Sequence, residues 1–426
     1  MKIGIIGAGF TGLAAGYYLS KKGHEVTIIE RDSAPGGLAV GFKVPGWQWT
    51  LERHYHHWFT NDKSVLTLAK ELNYPVFIDR PKTSSFVEGG IYQLDSPASL
   101  LKFPKLSLLD RLRTGASLGL LRYDPVWKPL ELFRAEPYLK FSMGKRAYEK
   151  IWEPLMTNKL GHYSSDVSLA WFWARIYKRT SSLAYPEGGF LNFAKALQKA
   201  IEKQGGKFYY GAEVTELTSD NKPEIIFYNN KHKKSKLEFD AVIVTLPSFL
   251  FAKIAPSLPA SYTQNLGKLK GIGAMNLVLR LKKQFMTDGT YWLSMCDLKS
   301  PILAIVEHTN FIDKQYYDDK HIVYLGNYLE TSDPRFNMNA GELLKLYDPW
   351  LSKTNPDYKS SIIDYELFKV PFAQPIITPN YSKNIPPFKT PLKSVFLTNI
   401  EQVYPWDRGT NYAVELGKKI AGIISS

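Results

Sequence analysis

Cysteine is almost absent from this chain of 426 residues, since Cys296 is the only one. A single thiol cannot form an intramolecular disulfide, a CxxC redox pair, or a cysteine-based zinc or iron–sulfur cage. Redox chemistry in this chain would therefore need a cofactor that brings its own redox centre. The composition fits a reducing compartment, and we predict a cytoplasmic protein.

Long apolar runs are also missing. No stretch of the sequence reaches the roughly 18 uninterrupted apolar residues that span a bilayer, so we expect no integral membrane segment. The run from Lys2 to Gly16 resembles an export signal, but its glycines fall at fixed offsets that export does not require. A buried strand that leads into a helix is the better interpretation, and we expect no export.

The charges do not balance. Lys and Arg number 54 against 40 Asp and Glu, a net charge of +14, while 44% of the residues are hydrophobic. These values predict a folded protein of two or three domains, and the excess of positive charge could attract anionic lipid, nucleic acid or a phosphorylated substrate. The basic run 230–236 is best interpreted as an exposed hairpin loop, so we predict no nucleic-acid partner.

The amino-terminal residues have the pattern of a βαβ unit. Residues 3–9 form an apolar run without a polar face, which is typical of a parallel strand covered on both sides. A helix is predicted over 11–22, where small residues allow close packing on the sheet. Residues 24–30 supply the second parallel strand.

Within this unit, Gly7, Gly9 and Gly12 form a GxGxxG motif. The three glycines permit a tight turn, a close approach of the backbone to a pyrophosphate, and tight contact between helix and strand. Glu30 lies 18 residues after Gly12 and is placed to bind a ribose diol. The spacing predicts a dinucleotide site, to which we also assign the neighbours Phe10, Thr11 and Arg31.

The next segment resembles a known flavoprotein family. Gly36-Gly37-Leu38, shortly after the acid, is similar to the glycine pair of amine oxidases, protoporphyrinogen oxidases and carotenoid desaturases. This resemblance implies FAD rather than NAD. Many members carry arginine directly after the pair, whereas this chain has Leu38, so one phosphate contact of the typical site is absent or comes from elsewhere.

The resemblance continues along the chain. Residues 185–215 are similar to the return of the chain to the FAD domain, where the family places the Val214 position against adenine. Before the last helix, the resemblance implies that Gly409, Thr410 and Asn411 contact the flavin and its ribityl chain. The usual Gly-Asp before this loop is replaced by Thr398-Asn399, which leaves the ribityl ligand open. Cys296 is far in sequence from the closing segment, so we predict noncovalent FAD.

These signals predict an α/β fold, in which a Rossmann-like FAD-binding domain with a parallel sheet carries an inserted α+β substrate domain. The predicted division is 1–74, 185–255 and 391–426 for the FAD-binding domain, 75–184 for a mainly helical insertion, and 256–390 for a β-rich insertion.

Three histidines lie in the segment 51–60, which resembles the flavin-proximal stretch of UDP-galactopyranose mutases. In an extended chain His54 and His56 face away from His57, so they do not converge and we predict no metal site. The resemblance implies that His57 lies over the flavin, and we assign it as the catalytic acid–base or orienting group. Partly buried histidines with satisfied hydrogen bonds are the alternative. Five further residues are predicted to line the substrate site: Tyr148, Trp152, Arg175, Tyr291 and His308.

The predicted activity is that of an FAD-dependent oxidoreductase of the amine oxidase or protoporphyrinogen oxidase type. It would transfer a hydride from a C–N or C–C bond of a small molecule to flavin N5. A non-redox flavoenzyme similar to UDP-galactopyranose mutase, acting on a nucleotide sugar, is the alternative. The leucine-rich stretch 98–133 with its Lys and Arg residues predicts peripheral contact with the inner face of a membrane as an option. Neither the substrate nor the oligomeric state follows from the sequence.

Overall fold

The computed structural model describes all residues, 1–426. The strands are Lys2–Ile6 (β1), Glu25–Ile29 (β2), Gly41–Phe42 (β3), Leu51–Glu52 (β4), Trp58–Phe59 (β5), Val76–Asp79 (β6), Lys82–Val87 (β7), Gly90–Gln93 (β8), Leu183–Pro186 (β9), Lys207–Tyr209 (β10), Ala212–Ser219 (β11), Pro223–Asn229 (β12), Lys234–Glu238 (β13), Ala241–Val244 (β14), Gly271–Leu281 (β15), Thr290–Met295 (β16), Ala304–Glu307 (β17), His321–Leu329 (β18), Ile362–Pro375 (β19) and Val395–Leu397 (β20).

The α-helices are Phe10–Lys21 (α1), Lys63–Glu71 (α2), Pro97–Leu101 (α3), Leu108–Tyr123 (α4), Ala135–Met143 (α5), Lys145–Ala147 (α6), Glu153–Leu160 (α7), Leu169–Tyr177 (α8), Phe190–Lys203 (α9), Ser248–Ile254 (α10), Ala260–Leu266 (α11), Pro334–Asn337 (α12), Ala340–Thr354 (α13), Tyr358–Ser361 (α14) and Thr410–Ser425 (α15). A π-helical turn, Tyr148–Trp152, joins α6 to α7. No helix combines the length and the apolar character needed to cross a bilayer.

A five-stranded parallel sheet holds the two ends of the chain together. Its order is β10-β2-β1-β14-β20, so strands from the beginning, middle and end of the sequence are neighbours. In β1, Ile3 and Ile5 pack on the helix side with α1, α9 and α15, whereas Ile6 packs with the antiparallel sheet β11–β13 on the other side. The alternation of strand side chains thus fixes a three-layer arrangement. The prediction of an α/β fold with a covered parallel sheet is confirmed.

A seven-stranded mixed sheet forms the second large unit, in the order β19-β15-β18-β17-β16-β7-β8. Helix α13 packs on one face through Leu343, Tyr347 and Leu351, which join the core of this sheet. Strands β7 and β8 come from the region predicted to be mainly helical, and β7 pairs with β16 in parallel. The sequences of β7 and β8 are too short to distinguish a strand from a loop within this region. The proposed domain boundaries stay a prediction.

The helices α3–α8 form a separate bundle that packs against the seven-stranded sheet, with Val87 and Ile272 in the shared core. Its core contains Leu139, Met143, Trp171, Phe172 and Trp173. The longest helix of the bundle is α4, and α6, the π-helical turn and α7 follow one another along the segment 145–160. The basic run 230–236 lies in and beside the β12–β13 hairpin turn, as predicted.

Candidate functional site

The GxGxxG turn between β1 and α1 is closed so tightly that two of its glycines admit no side chain. A methyl group added at Gly12 would lie 2.0 Å from the carbonyl oxygen of Gly7, and one added at Gly7 would lie 2.4 Å from Thr245 Oγ1. At Gly9, the residue that caps α1, an added methyl group would meet only Gly37 Cα at 3.7 Å. No side chain caps the first turn of α1. Its N–H groups therefore remain available to a ligand.

The glycine pair packs directly against this turn. Gly36 N donates to the carbonyl of Ala8 (2.9 Å), and the Cα of Gly9 would lie 2.9 Å from a methyl group added at Gly37. Leu38 is half-buried in the short helical turn that follows. The two glycine-rich loops thus form a single cradle made of backbone, as the sequence predicts.

Glu30 ends β2 beside the same cradle. Its carboxylate accepts hydrogen bonds from the backbone N–H groups of Ala8 (2.6 Å) and Asp32 (2.9 Å). Burial raises the pKa of Glu30 although these N–H groups act against it. A carboxylate held by two backbone donors has further lone pairs for a diol. Arg31 is exposed and makes no ion pair in the structure.

The predicted adenine contact lies close to Glu30. Ala212 N donates to the carbonyl of Glu30 (2.9 Å), and Gly211 N donates to that of Asp32 (3.1 Å). Val214 follows two residues later in β11 and is half-buried against the core of the β11–β13 sheet. The backbone around Val214 is therefore near the carboxylate end of the cradle, and its contact with adenine stays a prediction.

The last helix points its amino terminus toward the same region. Gly417 packs on α1, because a methyl group added there would lie 2.5 Å from the carbonyl oxygen of Thr11, and Ser425 Oγ bonds His24 Nε2 (3.1 Å) just beyond the end of α1. The two helices are thus parallel. Neither start is capped by a side chain, so two positive dipole ends converge.

Three predicted cofactor residues have side chains that are committed elsewhere. Phe10 packs in the core, stacked on Phe193 with ring centroids 5.7 Å apart. Asn411 Oδ1 accepts from Ser64 N (2.9 Å) and Val65 N (3.2 Å) and so caps α2. Thr410 Oγ1 accepts from Trp58 Nε1 (2.7 Å). The cofactor assignment of Phe10 and Asn411 stays a prediction, which we restrict to their backbone N–H groups, since the Phe10 ring packs in the core and Asn411 Oδ1 caps α2.

Gly409 is exposed directly before α15, in an extended conformation. The segment before it, Thr398-Asn399, holds a network instead of a Gly-Asp pair. Asn399 Nδ2 donates to the Leu246 carbonyl (3.0 Å) and to Glu401 Oε2 (2.9 Å). This network ties β20 to β14 and explains how the usual motif can be replaced without loss of the local structure.

The histidine segment lies deep in the molecule but is not sealed. Residues 53–57 are each half-buried. Burial nevertheless lowers the pKa of the three imidazoles in this segment, because the surrounding protein shields them from bulk water. Because these side chains are shielded from bulk water yet keep accessible area, we infer that they border an internal space, which we call the cavity. His54 Nδ1 contacts Asn276 Nδ2 (2.6 Å), and His56 Nδ1 contacts the carbonyl of His54 (2.5 Å). The three rings have different partners, as the alternation predicts.

His57 borders this cavity beside the start of α15, since the adjacent Trp58 bonds Thr410. Its Nδ1 lies 3.1 Å from the hydroxyl of Tyr291. Burial, with smaller contributions from Arg179 and His56, lowers the pKa of His57 to about 3. A neutral imidazole favours the orienting role of His57 over the acid–base role. His57 is neutral under physiological conditions, and its assignment as the catalytic group stays a prediction.

A cationic group, of which the sequence predicts only Arg175, lies near the histidine segment, since Arg408 acts on His54 and His56. Arg175 forms an ion pair with Asp407, and Arg408 donates to the hydroxyl of Tyr328 and to Gln374 Oε1 (3.0 Å). Lys159 Nζ lies 4.7 Å from the centre of the Tyr328 ring. Arg175 and Asp407 keep 35% and 24% of their side-chain surface accessible, so they face the cavity.

Sequence reasoning identified Arg175 and missed the others. Asp407 and Arg408 directly precede Gly409 in the sequence. Two opposite charges next to a predicted cofactor residue indicate that this loop lies at the site. Lys159 lies between the buried residues Met156 and Leu160 on α7. A lysine on the apolar side of a helix is unusual and could have been noticed.

Two predicted substrate residues are corrected. Tyr148 is buried within the helical bundle, and His308 is buried against Tyr185, with its Nε2 2.8 Å from the hydroxyl of Tyr317. Neither faces open space, because each fills the core of its own unit. Tyr291 is also buried and acts on the site only through His57. Trp152 is half-buried against Phe172, and its indole Nε1 has no hydrogen-bond partner.

The arrangement fits a flavin dinucleotide. An anionic diphosphate matches two uncapped helix starts and a backbone cradle without room for side chains, and a ribose matches the Glu30 carboxylate.

Comparisons with known proteins agree with this fit. The model of a family described as flavin containing amine oxidoreductase matches residues 10–399. The coproporphyrinogen III oxidase of Staphylococcus aureus is 23% identical over 58% of this chain and 61% of its own length. The 15-cis-phytoene desaturase of Synechococcus elongatus is 21% identical over 100% of this chain and 96% of its own.

A solved structure of reduced UDP-galactopyranose mutase has the same fold, with a TM-score of 0.78 at 14% identity over 100% of this chain and 93% of that one. The alignment with the staphylococcal relative spans less than two thirds of that protein. The family match, in contrast, covers most of the chain and includes both glycine-rich loops except for the first two glycines. The chain belongs to the flavin-containing amine oxidoreductase family.

Proposed function

We propose that the protein is an FAD-dependent oxidoreductase that oxidises a C–N or C–C bond of a small molecule. The observation that carries the proposal is the backbone cradle of the two glycine-rich loops, which lies at the uncapped start of α1 beside the Glu30 carboxylate. A backbone cradle at a helix start, followed by a carboxylate after the second strand, is what the diphosphate and the ribose of a flavin dinucleotide need.

The residues that would hold FAD follow from the geometry. The N–H groups at the start of α1 and the loop Gly36–Gly37 would bind the diphosphate, Glu30 the ribose, and the backbone near Val214 the adenine. Cofactor binding would be noncovalent, because burial raises the pKa of the Cys296 thiol to about 12 and the thiol packs in the core. A protonated, enclosed thiol is a poor nucleophile.

When bound, the flavin supplies a ring that accepts a hydride from an adjacent carbon. The chain contributes orientation and electrostatics. His57 is neutral and anchored by Tyr291, so it can accept or donate one hydrogen bond at Nε2 without holding a full charge. Arg408 and Arg175 place positive charge at the cavity, which favours negative charge that develops on the ring or on the substrate.

The experiment is anaerobic mixing of the pure protein with candidate amines, a porphyrinogen and nucleotide sugars. The proposal predicts loss of the visible flavin absorbance with at least one reductant substrate and its recovery when oxygen is admitted. The cationic group would also suit the diphosphate of a nucleotide sugar. Turnover of a nucleotide sugar that requires prior reduction, with no net electron transfer, would instead support the mutase alternative.

A further inference from the structure

Lys159 has no partner in the interior. Only 9% of this residue is exposed, and its ammonium group makes no hydrogen bond and no ion pair. Its neighbours are the rings of Tyr328 and Trp171, whose centres lie 4.7 and 5.8 Å from Nζ. Aromatic faces attract a cation but do not replace a hydrogen-bonded anion. A buried ammonium group in this state costs stability, so its retention needs a reason.

The surroundings make the imbalance larger. Arg175 and Arg408 also act on Lys159, and Asp407 is the single carboxylate among the charged groups that do so. Asp407 already pairs with Arg175. Three basic side chains thus face one carboxylate, and the amine of Lys159 is driven toward its neutral form until an anion binds. Burial, followed by repulsion from Arg175, lowers the pKa of Lys159 well below its usual value.

These groups share one side of the cavity. Arg408 lies over one aromatic ring, that of Tyr328, which Lys159 also contacts, and Arg175 lies 5.0 Å from the centre of the Trp171 ring. Two aromatic rings therefore hold three cations toward a common space, opposite the histidine segment. The arrangement is a preformed site that lacks negative charge.

We infer that the substrate of the proposed reaction carries an oxyanion group, a carboxylate or a phosphate, which is bound by Lys159, Arg408 and Arg175. This inference rests on the proposed function, because it assigns the anion to the substrate. Binding of an anion by these three residues does not itself require turnover. Bound oxyanion would complete the charge balance and fix the reacting carbon relative to His57.

The test compares holoenzyme with and without three probes: inorganic phosphate, inorganic pyrophosphate and succinate. Thermal melting followed by tryptophan fluorescence and the visible flavin spectrum are the two readouts. The variants are Lys159→Met, with Lys159→Gln as a second substitution of similar length. Lys145→Met, at an exposed lysine of α6, is the matched control.

The wild type and the Lys145→Met control should melt at higher temperature with at least one probe and show a shifted flavin spectrum. Lys159→Met should melt higher than wild type without any probe and should lose the response. Phosphate and succinate distinguish the two anion sources. An equal response in wild type and both Lys159 variants, or no response in any protein, would overturn the inference. A protein that binds the probes but holds no flavin would refute the proposed function alone.

A second, independent feature lies on the outside of the helical bundle. Helix α4 exposes Leu108, Leu109, Leu112, Leu120 and Tyr123, and Phe141 at the end of α5 lies beside them because Arg113 bonds its carbonyl. We name these six side chains the leucine face. Leu109 and Phe141 are 73% and 79% exposed. A cluster of large apolar side chains at such exposure marks a contact surface.

The polarity of α4 is reversed relative to an ordinary surface helix. Its buried side carries Thr114 and Ser117 together with Leu121, while its outer side carries the leucines. The single acid of the helix, Asp110, is held by Ser107 at the amino terminus. Exposed cations lie on α4 and the neighbouring segments at Lys102, Arg113, Lys145 and Arg146, of which Lys145 pairs with Glu149 and Arg146 with Asp110. Apolar side chains bordered by cations match an anionic bilayer surface.

The geometry points to peripheral docking of the leucine face on a membrane that contains anionic lipid. Flotation with vesicles of phosphatidylcholine alone or mixed with phosphatidylglycerol tests this. The variant is Leu109→Glu with Leu112→Glu, and Leu298→Glu, at an exposed leucine outside the leucine face, is the control. Wild type and control should float with the mixed vesicles, and the double variant should stay in the bottom fractions of the gradient.

The contribution of the cations to vesicle binding can be tested separately. Flotation should weaken at high salt and with phosphatidylcholine alone, because the cations contribute only when anionic lipid is present. Equal flotation of the double variant and wild type, absence of flotation in both, or a wild-type dimer in light scattering that the double substitution dissociates would overturn the docking proposal.

Discussion

At the scale of single residues, burial sets the chemistry of His57. A free imidazole titrates near neutral pH, but the burial of His57 and the nearby Arg179 favour its neutral form. A pKa of about 3 leaves the ring uncharged at every pH at which the protein is expected to work. The role open to His57 is therefore to orient, through a hydrogen bond, rather than to exchange a proton with solvent.

The pH dependence of turnover checks this role. The pKa of His57 is lowered, so its ionisation lies below the neutral range, and kcat/KM should show no limb from this group between about pH 5 and pH 8. His57→Gln should lower the rate at all these pH values and leave the shape of the profile unchanged. A limb near the usual histidine pKa that disappears in His57→Gln would contradict the neutral ring.

Gly9 offers a sharper test of where the ligand lies. An added methyl group meets only Gly37 Cα at 3.7 Å, an ordinary contact, so Gly9→Ala should fold. The same methyl group would enter the space assigned to the diphosphate, and FAD affinity should fall by about tenfold or more. Equilibrium binding of FAD to the apoprotein measures the change.

Gly422→Ala is the matched control, because nothing lies within 4 Å of a methyl group added there. It should stabilise α15 by up to about 1 kcal/mol and leave FAD affinity unchanged. Unchanged affinity in Gly9→Ala as well would move the diphosphate away from the first turn of α1.

At the scale of elements, single side chains join parts of the chain that are far apart in sequence. Asn411 at the start of α15 caps α2, whose own N-cap residue, Asp62, makes no capping bond. Asn411→Ala should cost about 1 kcal/mol through loss of this cap, seen as a lower melting temperature. The flavin spectrum should not change, because only the backbone of Asn411 is assigned to the cofactor. Loss of flavin at an unchanged melting temperature would reverse that assignment.

Glu52 joins β4 to β9 and α9 in the same way. Its carboxyl group accepts from the Tyr185 hydroxyl (2.6 Å) and from Phe190 N (2.8 Å), and burial raises its pKa to about 7. A raised pKa means that the folded state binds the proton more tightly than the unfolded state. Stability from this group is therefore present below the unfolded pKa and is lost as the pH rises toward 7.

Replacement by a neutral amide removes that dependence. Between mildly acidic and mildly alkaline pH, the free energy of unfolding of wild type should fall by about 3 kcal/mol more than that of Glu52→Gln. Denaturant unfolding at the two pH values measures the difference. Asp220→Asn, at an exposed acid, should behave as wild type. Identical pH dependence in Glu52→Gln and wild type would show that Glu52 is ionised in the fold throughout.

At the scale of the whole molecule, the features predicted from sequence are those that local spacing determines. Gly7, Gly9, Gly12 and Glu30 lie within one βαβ unit, so their arrangement follows from the unit itself. The order in which β1, β14 and β20 return to one sheet follows from the family resemblance and the apolar strand patterns.

The cavity could not be predicted in this way. Lys159, Arg175 and Arg408 come from α7, α8 and the loop before α15, and they meet only because the helical bundle docks over the seven-stranded sheet next to that loop. The same limit explains Tyr148 and His308, since helical or strand periodicity shows that a residue is buried but not which neighbouring unit covers it. The candidate functional residues of this fold thus meet where separate structural units pack together. Sequence patterns carry least information about such contacts.

The account depends most on FAD held noncovalently at the two converging helix starts. The direct measurement is the visible spectrum of the freshly purified protein, followed by acid precipitation and chromatographic identification of any released chromophore. The account predicts a yellow protein that releases intact FAD into the supernatant in equal amount to the protein. A folded protein that is colourless and does not take up added FAD, or one whose flavin stays with the precipitate, would contradict it.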